Sequence, residues 1–202
     1  MPWEPFEEKA RSRGFRVIAG LDEAGRGPLA GPVVAAAVVL PDTRILRGVA
    51  DSKTLTARQR EKALALIRKR ALGIGVGIVE AGEIDRLNIL RASLKAMELA
   101  VRDLPVAPDF LLIDGLHSLP LPLEQQAMPK GDGRCLSIAA ASIVAKVTRD
   151  RLMMAYHEQY PEYNFARHKG YGTREHLQAL REHGCCPIHR QSFRTVHQLP
   201  LI

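Results

Sequence analysis

Two adjacent carboxylates, Asp22 and Glu23, stand in Leu21-Asp22-Glu23-Ala24-Gly25-Arg26-Gly27-Pro28, directly after the apolar run Arg16-Val17-Ile18-Ala19-Gly20-Leu21. The run reads as a buried strand, which carries the acids to its end, where a ligand can reach them. Successive strand side chains point to opposite faces. Neighbouring acids on a regular strand therefore cannot both aim at one ion, which suits a two-metal site better than a one-metal site. Gly25-Arg26-Gly27 sets two glycines around one cation. Glycine lets backbone approach a ligand closely, and amide N–H groups beside an arginine make a cradle for phosphate or sugar. Acids for metal beside an amide-rich loop for phosphate point to phosphodiester chemistry. A salt-bridged turn would explain an isolated Asp-Glu pair, but not the loop that follows it or the further acids at strand ends downstream.

Two of those acids are Asp114, which closes the short apolar strand Phe110-Leu111-Leu112-Ile113, and Asp132, set between glycines in Lys130-Gly131-Asp132-Gly133 just before a helix. Hard oxygen ligands select Mg²⁺ or Mn²⁺ rather than zinc. Two such ions about 4 Å apart clamp the attacking and leaving oxygens of an in-line phosphoryl displacement. The chain has no P-loop, no serine-nucleophile motif and no dinucleotide fingerprint. Its three cysteines, Cys135, Cys185 and Cys186, fit neither a zinc site nor a disulfide framework, and a reducing cytoplasm suits them. The histidines lack metal spacing, and His168, near the presumed nucleic-acid edge, has no assigned role. Asp150 is left out of the site. A helix that starts near Ser137 places it about 20 Å from that start, so a structural ion pair with Arg149, Arg151 or a neighbouring segment is expected.

The elements that must position these residues follow from pattern. Gly31 to Leu40 reads as a second strand, buried on both faces and paired antiparallel to the first through a short connection. A capping box, Thr56 with Gln59, opens a helix to about Arg70. Leu72-Gly73-Ile74-Gly75-Val76-Gly77-Ile78 alternates glycine with aliphatic, so one face must be approached very closely. Apolar positions spaced by three and four predict one long helix over 84–104, ended by Pro105 and Pro108. A Pro-rich loop follows Asp114. A helix runs from Ser137 to about His157, and a last one from Thr173 to Gly184. This order predicts an α/β fold, a sheet with helices on it, and helices in the C-terminal part.

A length of 202 residues suits one domain, and the hydrophobic content of 46% and charged content of 25% are ordinary for a globular chain. The net charge of +7 is concentrated in the C-terminal third, which favours a polyanionic partner on that side. The N-terminus has mixed charge without an apolar centre, unlike a signal peptide, and no stretch has the length of a membrane span.

Taken together, Asp22 to Pro28, Asp51-Ser52-Lys53, Asp114-Gly115, Lys130-Gly131-Asp132, the segment ending Ala145-Lys146-Val147-Thr148-Arg149-Asp150, His168-Lys169-Gly170-Tyr171-Gly172-Thr173 and His189-Arg190-Gln191-Ser192-Phe193 resemble the type 2 ribonuclease H family. The resemblance covers about residues 16–196, in order, leaving an N-terminal segment 1–15 and a tail 197–202. It implies a ribonuclease-H-like fold with a mixed central sheet. The implied activity is endonucleolytic cleavage of the RNA strand in RNA–DNA hybrids and incision 5′ to single ribonucleotides in duplex DNA. By position, Asp22, Glu23, Asp114 and Asp132 resemble the family's metal-binding acids, which would hold Mg²⁺ or Mn²⁺. Gly25, Arg26 and Gly27 resemble the loop that reads the ribose 2′-hydroxyl, and Tyr171 the tyrosine that stacks on the adjoining deoxynucleotide sugar. Ser52, Lys53 and Lys169 are expected phosphate contacts. The short N-terminal segment favours type 2 over type 3 enzymes, which carry an extra N-terminal domain, and the C-terminal helices of some relatives are not expected.

Two other readings compete. A non-catalytic RNA–DNA-binding module on the same fold would gain nothing from clustered negative charge facing phosphate. A resolvase or transposase type would not need the Gly-Arg-Gly loop with Tyr171. The tail Gln198-Leu199-Pro200-Leu201-Ile202 is similar to peptides by which bacterial repair proteins dock on the sliding clamp; the alternative is that its leucines fold back onto the domain.

Overall fold

The protein is described by a computed structural model covering residues 3–41 and 55–197. Strand β1 (Ile18–Ala24) and strand β2 (Val33–Val39) form the expected antiparallel pair, with Asp22 opposite Ala36 and Glu23 opposite Ala35. Strand β3 (Gly73–Val79) adds antiparallel to β2, while β4 (Phe110–Asp114) lies parallel to β1 on its other side. A fifth strand, β5 (Glu124–Met128), runs parallel to β4, giving the order β3-β2-β1-β4-β5. The Pro-rich loop expected after Asp114 therefore contains an edge strand. Its Glu-Gln-Gln-Ala-Met sequence carries no apolar alternation, so pattern could not reveal it.

Helices cover both faces. Preceding β1 is α1 (Phe6–Ser12), and α2 (Ala57–Arg70) starts on the predicted capping box, with Thr56 and Gln59 bonding reciprocally. The single helix expected over 84–104 is two, α3 (Ala81–Leu87) and α4 (Ile89–Arg102). Asn88 breaks them apart at φ 69° and then caps α4, its side-chain oxygen accepting from the Arg91 amide at 3.1 Å. The apolar spacing runs unbroken across this kink because Leu87 and Ile89 both pack on the core. The C-terminal part comprises α5 (Leu136–Gln159), α6 (Phe165–His168), α7 (Arg174–His183) and α8 (Arg194–His197).

Strand β2 is buried along its length because it feeds two cores. Val33, Ala35, Ala37 and Val39 face α3 and α4, whereas Ala36 and Val38 face α2 and α5. The C-terminal helices pack around Tyr163, Phe165, Leu180 and Ile188, and this third core also takes Leu29 and Ala30 from the loop between β1 and β2. The glycine stripe of β3 lies under α4. A Cβ on Gly77 would stand 1.9 Å from the Ala96 carbonyl oxygen, and one on Gly75 2.1 Å from that of Ala100. Backbone cannot yield as a side-chain tip can. Gly77→Ala is therefore expected to cost about 3 kcal/mol, the upper part of the usual overpacking range, measured as a lower urea midpoint with an unchanged slope.

Candidate active site

The site lies where the strand order reverses. From β1 the chain proceeds outward through β2 and β3, then returns to place β4 and β5 on the other side. Ligands gather beyond the carboxyl ends of parallel strands at such a point. Leu21 pairs with Ile113, and the next residue on each strand is an acid, Asp22 and Asp114. The strand does not end at the acids as expected: Asp22 and Glu23 fall inside β1, two residues and one residue before its end. They line, with Asp114, Gly25 and Tyr171, one cavity of about 470 Å³.

Electrostatics mark this cavity. Burial drives the Asp22 carboxyl well above the ordinary range, and the charges of Glu23 and Asp114 push it further; hydrogen bonds from the Ser142 hydroxyl and the Glu23 amide oppose the rise. Glu23 is raised too, chiefly by burial, although Arg26 counteracts with an ion pair at 3.1 Å. Asp114 Oδ1 accepts from the Gly131 amide at 2.7 Å, which ties the Asp132 turn to β4. Asp132 itself is buried on that turn and does not line the cavity. Among the described residues no group of three or more acids, histidines or cysteines is placed to hold a metal ion. Open carboxylates nonetheless fit Mg²⁺ or Mn²⁺, which takes few carboxylates and keeps several waters. A divalent cation would relieve the mutual repulsion that lifts Asp22.

Gly25 has φ +100°, and a Cβ there would stand 2.1 Å from Arg149 Nε. Two buried arginines hold this loop: Arg190, for which the sequence suggested no role, and Arg149, for which it suggested only an ion pair with Asp150. Arg190 donates to the carbonyls of Gly25 (2.6 Å), Arg26 (3.0 Å) and Gly31 (2.8 and 3.0 Å). Arg149 donates to those of Pro32 (2.9 Å), Ala30 (3.1 Å) and Lys169 (3.0 Å). In a trans peptide C=O and N–H point opposite ways. Turning the Gly25 and Arg26 carbonyls toward Arg190 thus turns the Arg26 and Gly27 amides away from it. Burial lowers Arg149 to about 10 and Arg190 to about 9, so both remain cations at neutral pH.

Tyr171 is 47% exposed, and its ring lies 3.6 Å from where a Gly27 Cβ would stand. The expected loop and tyrosine are therefore together. Lys169 is not on this cavity; it lines an adjoining one, and its ammonium donates to the Ala166 carbonyl at 2.5 Å. Ser52, Lys53 and the tail 198–202 lie outside the described residues. Asp150 is excluded from the cavity, as expected, but its partner is Lys146 (2.6 Å); Arg151 pairs with Glu61, and Arg149 serves the loop. Ser142, Lys146 and Arg149 line the cavity together. Their spacing, i, i+4 and i+7, is the signal that could have found them, because it puts all three on one helix face.

A family model described as Ribonuclease HII matches residues 19–196. The chain belongs to the ribonuclease HII family. It is a ribonuclease H, a hydrolase that acts as an endonuclease, and the family depends on divalent metal. Ribonuclease HII from Syntrophus aciditrophicus is 56% identical over 195 residues, covering 96% of this chain and 92% of the relative. Among solved structures, ribonuclease H2 from Pyrococcus horikoshii superposes with TM-score 0.77 at 29% identity, covering 90% of this chain and 95% of that one. A PCNA:RNase HII complex from Archaeoglobus fulgidus contains a chain matching with TM-score 0.76 at 28% identity, covering 88% and 95%. The ribonuclease-H-like fold expected from the sequence is thus confirmed.

A carboxyl whose folded pKa is raised contributes stability below its unfolded pKa and loses it as pH rises through the folded value. At neutral pH the Asp22 carboxyl therefore opposes folding. Asp22→Asn, without metal, is expected to melt about 2–4 °C above the parent near pH 7.5. The difference should shrink toward pH 4, and Mn²⁺ should raise the parent's melting temperature more than the variant's. An equal Mn²⁺ response in differential scanning calorimetry would contradict the assignment.

Proposed function

We propose that the chain hydrolyses the RNA strand of RNA–DNA hybrids and incises 5′ to single ribonucleotides in duplex DNA, leaving 3′-hydroxyl and 5′-phosphate ends. The observation that carries this reading is the meeting of Asp22, Glu23 and Asp114 with Gly25 and Tyr171 around one cavity. Asp22, Glu23, Asp114 and Asp132 would hold two Mg²⁺ or Mn²⁺ ions. When bound, such ions polarise the scissile phosphate and lower the pKa of an attacking water.

The chain's own residues do the rest. Ser142 orients the Asp22 carboxylate, and the Gly131 amide orients that of Asp114. The outward amides of Arg26 and Gly27 suit an acceptor such as the ribose 2′-hydroxyl, the group that distinguishes RNA from DNA at a given position. Tyr171 offers a flat face for the sugar of the adjoining deoxynucleotide. Arg60, Lys146 and Arg149 line the same cavity and supply positive charge for the phosphates on either side. Ser52, Lys53 and Lys169 are proposed as further phosphate contacts.

The test uses matched all-DNA, single-ribonucleotide and long-hybrid duplexes with Mg²⁺ or Mn²⁺. Asp114→Asn should lose cleavage by at least about 10²-fold, the scale of a lost electrostatic contact in a transition state, while retaining duplex binding. Tyr171→Ala should lower single-ribonucleotide incision more than long-hybrid cleavage. Binding without metal-dependent cleavage in the parent protein would favour the non-catalytic module instead.

For the tail we propose docking of Gln198–Ile202 on the sliding clamp, by insertion of alternate apolar side chains into a surface pocket. The solved complex of an archaeal relative with PCNA supports a partner of this kind. Deleting residues 198–202 should abolish clamp binding in a titration and leave the melting temperature unchanged. Unchanged binding, or a melting temperature several degrees lower, would assign the tail to the fold.

A further inference from the structure

Three buried histidines behind the cavity have no part in the chemistry above. His168, His176 and His189 are all below one-tenth exposed, and the first two stack with ring centroids 4.5 Å apart. Donor geometry fixes their tautomers. The Cys186 amide donates to His189 Nδ1 at 2.9 Å, closer than the Cys186 carbonyl oxygen at 3.2 Å; the shorter, directed bond makes Nδ1 the acceptor and leaves the His189 proton on Nε2. His189 Nε2 lies 3.0 Å from His176 Nε2, which must then accept. The His176 proton is accordingly on Nδ1, 2.9 Å from the Tyr171 carbonyl oxygen, to which it donates. His168 follows the same logic: its Nδ1 accepts from the Gly170 amide at 3.2 Å, and its Nε2 donates to the Tyr163 carbonyl at 2.6 Å. Burial holds His176 and His189 near pKa 4, so both are neutral at working pH.

The relay therefore ends on the backbone of the residue whose ring lies over Gly27. The Tyr171 carbonyl also accepts from the Thr173 amide at 2.8 Å, and the Tyr171 amide donates to the His168 carbonyl at 2.9 Å. Its neighbour Gly170 bonds through its carbonyl to the Leu29 amide at 2.8 Å, and His189 bridges to Ala30. Thus the histidine cluster touches both the tyrosine segment and the loop beneath it. Neither His176 nor His189 lines the catalytic cavity. A side chain that only filled space here would not need two nitrogens in a defined proton order.

We propose that His189 and His176 are positioning residues, a hydrogen-bonded relay from Cys186 to the Tyr171 carbonyl that fixes the Tyr171 ring over Gly27 and so sets the preference for a ribonucleotide–deoxynucleotide junction. The proposal rests on the junction role of Tyr171 given above. The readout is the ratio of kcat/KM on a single-ribonucleotide duplex to kcat/KM on a long hybrid. His176→Phe keeps the stacked ring and removes the donor. It should lower the ratio by about tenfold, within the loss that a misplacement of about 1 Å produces. His176→Asn returns an N–H near the position of Nδ1 and should hold the ratio within about twofold of the parent. Adding His176→Phe to Tyr171→Ala should leave the ratio where Tyr171→Ala alone puts it, because the two act as one unit.

Equal ratios for His176→Phe and His176→Asn, or a further drop in the double variant, would overturn the relay. If His176→Phe does not fold, His189→Gln against His189→Leu applies the same test, since glutamine can keep an N–H toward His176. A ratio left unchanged by Tyr171→Ala would overturn the stacking role of the tyrosine itself. A changed ratio there with an unchanged one in His176→Phe overturns only the relay.

Discussion

Two buried guanidinium groups, with no carboxylate paired to them among the described residues, hold this molecule's functional end together. Arg149 and Arg190 are almost wholly inaccessible, and their bonds go to main-chain carbonyls of Gly25, Arg26, Ala30, Gly31, Pro32 and Lys169. A hydrogen bond from a charged donor contributes about 1.5–3 kcal/mol, and several at once can offset the desolvation of a cation. Lysine could not replace either residue, because its compact ammonium cannot span carbonyls this far apart as a planar fork does. The loop they organise passes from the acids at one end to the third core at the other. The C-terminal helices, the Gly-Arg-Gly segment and the sheet thereby become one rigid arrangement.

That arrangement gathers charge that the fold alone would not favour. Asp22, Glu23 and Asp114 share one cavity, and burial plus mutual repulsion lift Asp22 and Glu23 above the ordinary carboxylate range. Arg149 brings a positive charge to the same wall, and Arg26 pairs with Glu23, yet the carboxyls stay raised. The site is therefore under electrostatic strain that a divalent cation suits. Stability given up at a site that must bind charge is a common trade in enzymes.

Much of this was legible in the sequence, and the exceptions have physical reasons. The β1–β2 hairpin, the capping box at Thr56, the close approach over Gly75 and Gly77, and the acids at the ends of neighbouring strands all follow from local pattern. The kink at Asn88 did not, because the apolar spacing is the same on both sides of it. Strand β5 is an edge strand held by its partner's backbone rather than by apolar alternation, so its residues look like a loop. Apart from that of Lys169, the carbonyls on which Arg149 and Arg190 act lie more than a hundred residues away in sequence, and an arginine looks the same whether it faces solvent or a buried loop. Asp150 illustrates the limit well: its exclusion followed from helix rise alone, whereas its partner, Lys146, depended on which neighbour had already been claimed by the loop.

Helix α5 is where these separate constraints become one. Its residues at Ser142, Lys146 and Arg149 lie on a single face, seven positions apart from first to last. Ser142 bonds the Asp22 carboxyl, Lys146 lines the cavity wall, and Arg149 grips the Lys169 carbonyl, two residues before Tyr171, together with those of Ala30 and Pro32 beyond the glycine loop. The end of the cavity proposed to hold metal and the end proposed to read the sugar are thus referenced to the same rigid rod, about 10 Å apart along it at the helical rise. A flexible connection would let either end adapt to a substrate independently. A common helix instead requires that the scissile phosphate and the sugar that identifies it be presented at a fixed separation. The junction selection proposed above, by geometry rather than by base sequence, needs that rigidity.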